Sequence, residues 1–400
     1  MAPTAWTPTR SSNLGLPPNS YIYKIISTAP RQDPLTYQQT GQLAVISSED
    51  SLHFLDPESL SVSGVVQRVN DKVTCLERGN DQASNVVATA GRDGLVQYWD
   101  KRSRQKAMSV EIPHKLISSI VCSQATNFLA AGVENPNDGP NPSPIYIYDT
   151  RNLSSPHLSL VESHTDTVTN LQIHPSHPTL LLSSSTDGLI NIFDTSKPDE
   201  DDALYQVINH RSAVAHAGFM FPGTDVYAMG TDETLSFYAL QSAAEDVEEP
   251  APKAYGDVRD VFGCEYLAKM HWVGSDAFVA SGKHSSGELT LYPVRKNDQA
   301  GPLDYDCVQD NTMTLPGAHG EEVVRDLFTD VHTRTTYTCG EDGFVRAWQA
   351  PVGGEAAMDV DETSEQRAKS KSKDRKEKRK EKKEKRKGEE DGKKGRFAPY

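Results

Sequence analysis

One pattern recurs along this chain and sets what it can fold into. A short alternating strand is followed by a turn carrying an Asp, then by a second strand that usually ends in an aromatic residue and an Asp. Copies run from Ser47 to Asp56, Ala90 to Asp100, Ser185 to Asp194, Gly230 to Ala239 and Gly340 to Gln349. Two more keep only the second strand, Ile145 to Asp149 and Glu288 to Pro293, which makes seven. The strand ends fall at 56, 100, 149, 194, 239, 293 and 349, so the steps are 44, 49, 45, 45, 54 and 56.

Each unit supplies about four short strands and cannot bury both faces of its own sheet, so stacking neighbours in a closed ring must provide the core. Closure also removes exposed sheet edges. The expected fold is therefore all-β, a seven-bladed propeller, and the step length is near the ~40–45 residues of a WD-repeat blade. The expected organisation is a disordered N-terminus over 1–20, the propeller over 21–352, and an acidic-then-basic tail over 353–400 that is disordered or a lone charged helix. The strand-like stretch Tyr21 to Ile26 is predicted to be the outer strand of the last blade, latching the ring from the N-terminus.

Where the repeat is complete, its polar residues have a structural use. His164, Ser183 and Asp187 are spaced for a hydrogen-bond network that pins one turn, and His319, Thr338, Asp342 and Trp348 repeat it. Buried, satisfied polar groups are the expected reading, not a catalytic constellation. Phe193 replaces Trp in the first network, which removes its indole donor. No Gly-Lys-Ser/Thr phosphate loop, His-Glu-x-x-His or Gly-x-Ser-x-Gly occurs, and the spacing of Gly282 to Gly287 is wrong for a phosphate loop. The expectation is no enzyme, no cofactor, no metal and no catalytic residue.

Cys75, Cys122, Cys264, Cys307 and Cys339 are odd in number and widely separated, as expected of free thiols in a reducing compartment. His174 and His177 read as a turn before a strand. No apolar run nears the ~18 residues of a membrane span, and the N-terminus has no signal core. A soluble, non-secreted chain is expected.

The net charge of −15 hides a division. Residues 367–396 hold 17 Lys and Arg against 7 Asp and Glu, a net of +10, which leaves −25 elsewhere. Acid clusters at Asp199 to Asp202 and Glu245 to Glu249 fall in expected loops. Basic residues concentrate at Lys373, Arg375, Lys376, Lys378, Arg379, Lys380, Lys382, Lys383, Lys385, Arg386 and Lys387, in a run with no apolar side chain. Such a run is solvated and points to a nuclear or nucleolar targeting signal able to contact RNA, or to a solubilising tail. No aromatic residue interrupts 369–394, so base stacking is not on offer and RNA contact would be weak and non-specific. The cytoplasm is the alternative location. Phe397 and Tyr400 close the chain as a short docking motif or a meaningless end.

Trp99, Asp100, Lys101 and Arg102, in the context Ala88 to Arg102, resemble the box by which WD-repeat substrate receptors dock on the damage-binding adaptor of cullin-4 ubiquitin ligases. That resemblance implies a planar, bidentate Arg anchor on the blade rim. Tyr148, Asp149 and Arg151 form a weaker copy one blade later. The stretch Glu162 to Pro178, continuing through Ser184 to Asp194 and Leu204, resembles the central blade of the WD repeat-containing protein 89 family. Two function classes follow. One is a scaffold whose faces bind proteins, a monomeric subunit of a nuclear or nucleolar complex in ribosome assembly or chromatin. The other is a ubiquitin-ligase substrate receptor.

Overall fold

The computed structural model describes residues 4–30, 41–79, 85–123, 126–242, 249–297, 299 and 301–351. They form a seven-bladed β-propeller. Blade one is Ile22–Ser27, Leu43–Ser47, Ser51–Leu55 and Val62–Gln67, from the axis outward. Blade two is Val73–Arg78, Val86–Gly91, Leu95–Asp100 and Gln105–Glu111, and blade three is Ile117–Ser123, Phe128–Val133, Ile145–Asp149 and Leu158–Leu160. Blade four is Val168–Ile173, Leu180–Ser185, Leu189–Asp194 and Leu204–Asn209, and blade five is Val214–Phe219, Val226–Gly230, Thr234–Tyr238 and Lys253–Asp257. In blade six, Tyr266–Val273, Asp276–Lys283 and Glu288–Lys296 are flanked by two short strands, Tyr305–Cys307 and Met313–Leu315. Blade seven is Val324–Asp330, Thr335–Gly340, Val345–Gln349 and, from the other end of the chain, Thr7–Ser12.

The core lies between blades. Phe54, Leu52 and Ile46 of blade one pack on Leu76, Val87 and Trp99 of blade two. Ile22, Ile25 and Val45 meet Phe328, Tyr337 and Val345 where the last blade abuts the first. A sheet of four short strands is stable only with both faces covered in this way.

The predicted latch is corrected. Ile22–Ser27 is the inner strand of blade one, pairing Ile22 with Ser47 and Ser27 with Leu43. The outer strand of blade seven is Thr7–Ser12, pairing Thr7 with Gln349 and Ser12 with Val345. The expectation of disorder over 1–20 fails for the same reason, because Thr4–Ala5 and Thr7–Ser12 are strands. Ile22 and Ile25 are almost fully buried, as an inner strand wedged between blades requires, whereas the outermost strand presents mostly exposed Thr, Pro, Arg and Ser. An outer strand needs little apolar content, and Pro8 is tolerated because it lies on a sheet edge beside a register shift. Thr4–Ala5 pairs in parallel with Met313–Leu315 of blade six, so the N-terminal segment joins two blades, with buried Trp6 between its strands.

The acid cluster at 199–202 is not a loop but the start of a short helix, Glu200–Ala203, capped by the Asp199 side chain accepting from the Asp202 N–H. The Glu200 carboxylate accepts from the N–H groups of Val161 and Glu162 and from the Ser163 hydroxyl, which fixes the link into blade four. Cys75, Cys122, Cys264 and Cys339 are buried and Cys307 is partly so, all as free thiols. The basic residues from Lys373 to Lys387, and the expected disorder or helix there, lie outside the described residues.

Candidate functional site

Three sets of side chains could carry function: the polar turns within blades, the Asp-Arg turns at the rim, and the mouth of the central channel.

In blade four the Asp187 carboxylate can only accept, so His164 presents Nδ1–H to it at 3.0 Å. Nε2 then accepts from the Ser183 hydroxyl at 2.8 Å. Asp187 also takes the N–H groups of Thr165 at 3.0 Å and Leu189 at 2.8 Å. Burial pushes its pKa up, but the His164 contact and these N–H groups hold it below the ordinary carboxylate value. Phe193, at the position of Trp348, has no donor for Ser183, and the Asn191 amide approaches Nε2 of His164 at 3.4 Å. In blade seven His319 bridges Asp342 at 2.6 Å and Thr338 at 2.9 Å, and the Trp348 indole donates to Thr338 at 3.0 Å.

Blade two holds a third network that the sequence pattern missed, because Asn70 stands in the place of His. Its amide donates to Asp93 at 3.0 Å and accepts from Thr89 at 2.7 Å, while the Trp99 indole donates to Thr89 at 2.9 Å. In blade one the turn Asp is displaced by one residue. Asp50 occupies the left-handed position, with φ 53°, that Gly94, Gly188 and Gly343 fill in complete repeats. Its carboxylate reaches the Val73 N–H of blade two at 2.8 Å. His174 turns its Nδ1 inward to accept from Ser176 and His177 N–H groups, which is a turn and not a ligand set.

At the rim, Trp99 and Tyr148 are buried and face the blade interior. What the two boxes present outward are Arg102 and Arg151, each with a side chain 71% exposed. Asp100 accepts from the Arg102 and Ser103 N–H groups at 2.9 Å each, an Asx turn that helps hold its carboxyl at about 2. The Arg102 guanidinium touches Asp100 only once, at 3.3 Å. Arg151 is engaged more fully, through Nε at 2.9 Å and Nη2 at 2.5 Å to Asp149. Lys101 reaches back to Thr28 of blade one at 3.1 Å.

The channel mouth is not marked by the repeat pattern. In all seven blades the inner strand shifts register near its start, after its buried first residue in six blades and after its second residue, Leu267, in blade six, a β-bulge that re-aims the side chain it carries. The bulged residues of blades two to six are small: Thr74, Ser118, Thr169, Ala215 and Ala268. Those of blades one and seven, side by side at the closing seam, are Tyr23 and Arg325. A cavity of about 780 Å³ opens there, lined by Tyr23, Arg325, Lys72, Arg92, Asp50 and His216 together with small and apolar residues of the inner strands. Burial pushes the His216 imidazole down to about 4. Within this layer, Thr74 donates to the Ile117 carbonyl at 2.6 Å and Ser118 to the Val168 carbonyl at 2.6 Å, tying blade two to three and blade three to four. Asp326 closes the circle, accepting from Lys269 of blade six at 2.6 Å and from the Ile25 N–H of blade one at 3.1 Å. In six blades the signal lies in the sequence as the residue after the strand-opening aliphatic, but it is legible only once the inner strands are known.

Residues 155–194 match the family described as WD domain, G-beta repeat. An uncharacterised WD repeat-containing protein of Saccharomyces cerevisiae is 33% identical over 297 residues, covering 72% of this chain and 71% of that protein. WD repeat-containing protein GTS1 of Arabidopsis thaliana is 26% identical over 77% of this chain and 78% of its own length. The WD repeat-containing protein 89 homolog of Dictyostelium discoideum is 24% identical over 75% of this chain and 83% of its own length. With the blades, turns and these likenesses in agreement, the chain belongs to the WD-repeat protein family.

Proposed function

We propose that this chain is a non-enzymatic scaffold that gathers proteins on its propeller faces, in a nuclear or nucleolar complex serving ribosome assembly or chromatin. The observation that carries the non-catalytic part is the state of its hydrolase-like residues. His164 and His319 have fully buried side chains, and each is engaged at both ring nitrogens by Asp and Ser or Thr of its own blade. No substrate atom can reach them. The nuclear part rests on the +10 segment at 367–396, set against −25 for the rest of the chain. That segment also suits weak, salt-sensitive RNA contact. Affinity purification of the full chain tests the reading: pre-ribosomal or chromatin proteins should co-purify, and a reporter fused to residues 367–400 should enter the nucleus. Recovery of no stoichiometric protein partner, or a reporter left diffuse, counts against it.

A second reading, substrate receptor on the cullin-4 adaptor, is favoured by one observation: Arg102 stands at the rim of blade two with its guanidinium exposed and held by a single long contact. A free guanidinium can offer a bidentate fork to a partner carboxylate. Arg102→Ala should then lose the adaptor, and Arg151→Ala should matter less because its fork already grips Asp149. Absence of the adaptor from the purified parent complex removes this reading.

A further inference from the structure

The cavity at the channel mouth has a charge sign opposite to that of the body around it. Among the described residues its lining carries Lys72, Arg92 and Arg325 against Asp50 alone of the carboxylates, and one Asp50 oxygen is already engaged by the Val73 N–H. Lys72 has no ion-pair partner among the described residues. Arg92 and Arg325 lean on Glu134 and Glu341, but their side chains remain 41% and 50% exposed. Exposed pairs of this kind are weak and exchange partners readily. Tyr23, 36% exposed, provides aromatic surface at the same edge, and Val73, Val324 and Leu267 give the cavity apolar walls.

We propose that the channel mouth is a binding site for an acidic peptide segment of a partner protein, with one Asp or Glu side chain entering between Arg325 and Tyr23. The inference rests on the scaffold reading and names the partner chemistry of one face. The small bulged residues Thr74, Ser118 and Ala268 leave the room, and the two large ones at the seam supply a guanidinium fork and a ring, both side-chain types enriched at the energetic centre of protein interfaces. The apolar walls suit an aliphatic residue beside the acid. A nucleic acid fits less well. Outside the basic segment the chain carries −25, which repels a polyanion over its whole length, whereas a short peptide brings few charges and can place one in the cavity.

The test is an oriented library of 12-residue peptides, degenerate except for a fixed central Glu, Asp, Gln or Lys, selected on the full chain at moderate salt. Glu and Asp libraries should be retained at least tenfold better than Gln or Lys libraries. Arg325→Ala should abolish that preference, Arg325→Lys should keep part of it, and Arg102→Ala, far out on a blade rim, should leave it intact. Melting curves of the Arg325 variants show that the ring is folded. No charge preference, a preference for Lys, an unchanged preference in folded Arg325→Ala, or tighter retention of a twelve-nucleotide thymidine oligomer each overturns the proposal. If natural partners co-purify equally with the parent and with Arg325→Ala, the scaffold reading stands while this site assignment falls. If none co-purify with either, the scaffold reading itself fails.

Discussion

Replacing Asp187 by Ala isolates what the turn networks contribute. The substitution removes three acceptor contacts. The His164 Nδ1–H loses its partner inside a fully buried ring, a stranded donor that costs about 1–3 kcal/mol. The Leu189 N–H is partly buried and adds about 0.5–1.5 kcal/mol, while the Thr165 N–H belongs to an exposed residue and can turn to water. The sum is about 1.5–4.5 kcal/mol. At ~2 °C per kcal/mol, the lower end of the range for larger domains, the melting temperature should fall by about 3–9 °C. Because folding holds the Asp187 pKa below its ordinary value, its stabilisation is complete above pH ~4 and disappears as the carboxylate protonates at lower pH. The gap between variant and parent should therefore be constant near neutrality and shrink in acid. A double-mutant cycle sharpens the assay. Asp187→Ala and Ser183→Ala share His164 and should be non-additive, whereas Asp187→Ala and Asp342→Ala lie in separate blades and should add. A melt of Asp187→Ala within a degree of the parent, or strict additivity with Ser183→Ala, refutes the reasoning.

Asp326→Ala should cost about 2–4 kcal/mol in urea denaturation, because it leaves Lys269 and the Ile25 N–H without their acceptor at the closing seam; a loss below about 0.5 kcal/mol would show that the seam does not depend on it. Deleting residues 1–12 exposes the edge of Val345–Gln349 and removes buried Trp6, so the product should aggregate or melt far below the parent, and a monodisperse product with an unchanged melt would contradict the latch. Burial pushes His53 down to about 4 and His271 to about 3, so both are neutral in the fold but protonate in the unfolded chain below pH ~6.5. Stability should thus decline as pH falls from ~6.5 towards 4, by up to about 1.4 kcal/mol per unit for each, and His271→Gln should flatten the urea-midpoint profile in that window.

The ring and its seven units were legible because the turn and strand-end residues repeat at a step that only stacking can satisfy. Networks anchored on His164 and His319 were legible for the same reason. That of Asn70, Thr89, Asp93 and Trp99 was not, since Asn satisfies the same geometry as His and breaks the written pattern. Apolar content points to Tyr21 to Ile26 as the latch, but an outer strand does not need burial. Thr7–Ser12 has backbone partners on one side only and little apolar content, so nothing in its composition separates it from a loose terminus. The channel mouth was hidden by a different cause. Tyr23, Arg325, Lys72 and Arg92 are far apart in sequence and meet only when blades one, two and seven close upon one another.

The shared seventh blade has a consequence for how the chain is made. Thr7–Ser12 leaves the ribosome early, but its partner Val345–Gln349 follows more than 330 residues later. At ~5–20 residues per second that interval is roughly 20–70 s. Throughout it the early strand has no mate, and blade one has only one neighbour, with its inner face of Ile22, Ile25 and Val45 uncovered. Completion of the fold is thus governed by the arrival of the last strand, and the nascent chain passes through an open arc whose two ends are complementary. Within a polysome, the free end of one arc is offered to the waiting strand of the next, so exchange of Thr7–Ser12 between neighbouring copies is the misassembly this architecture invites.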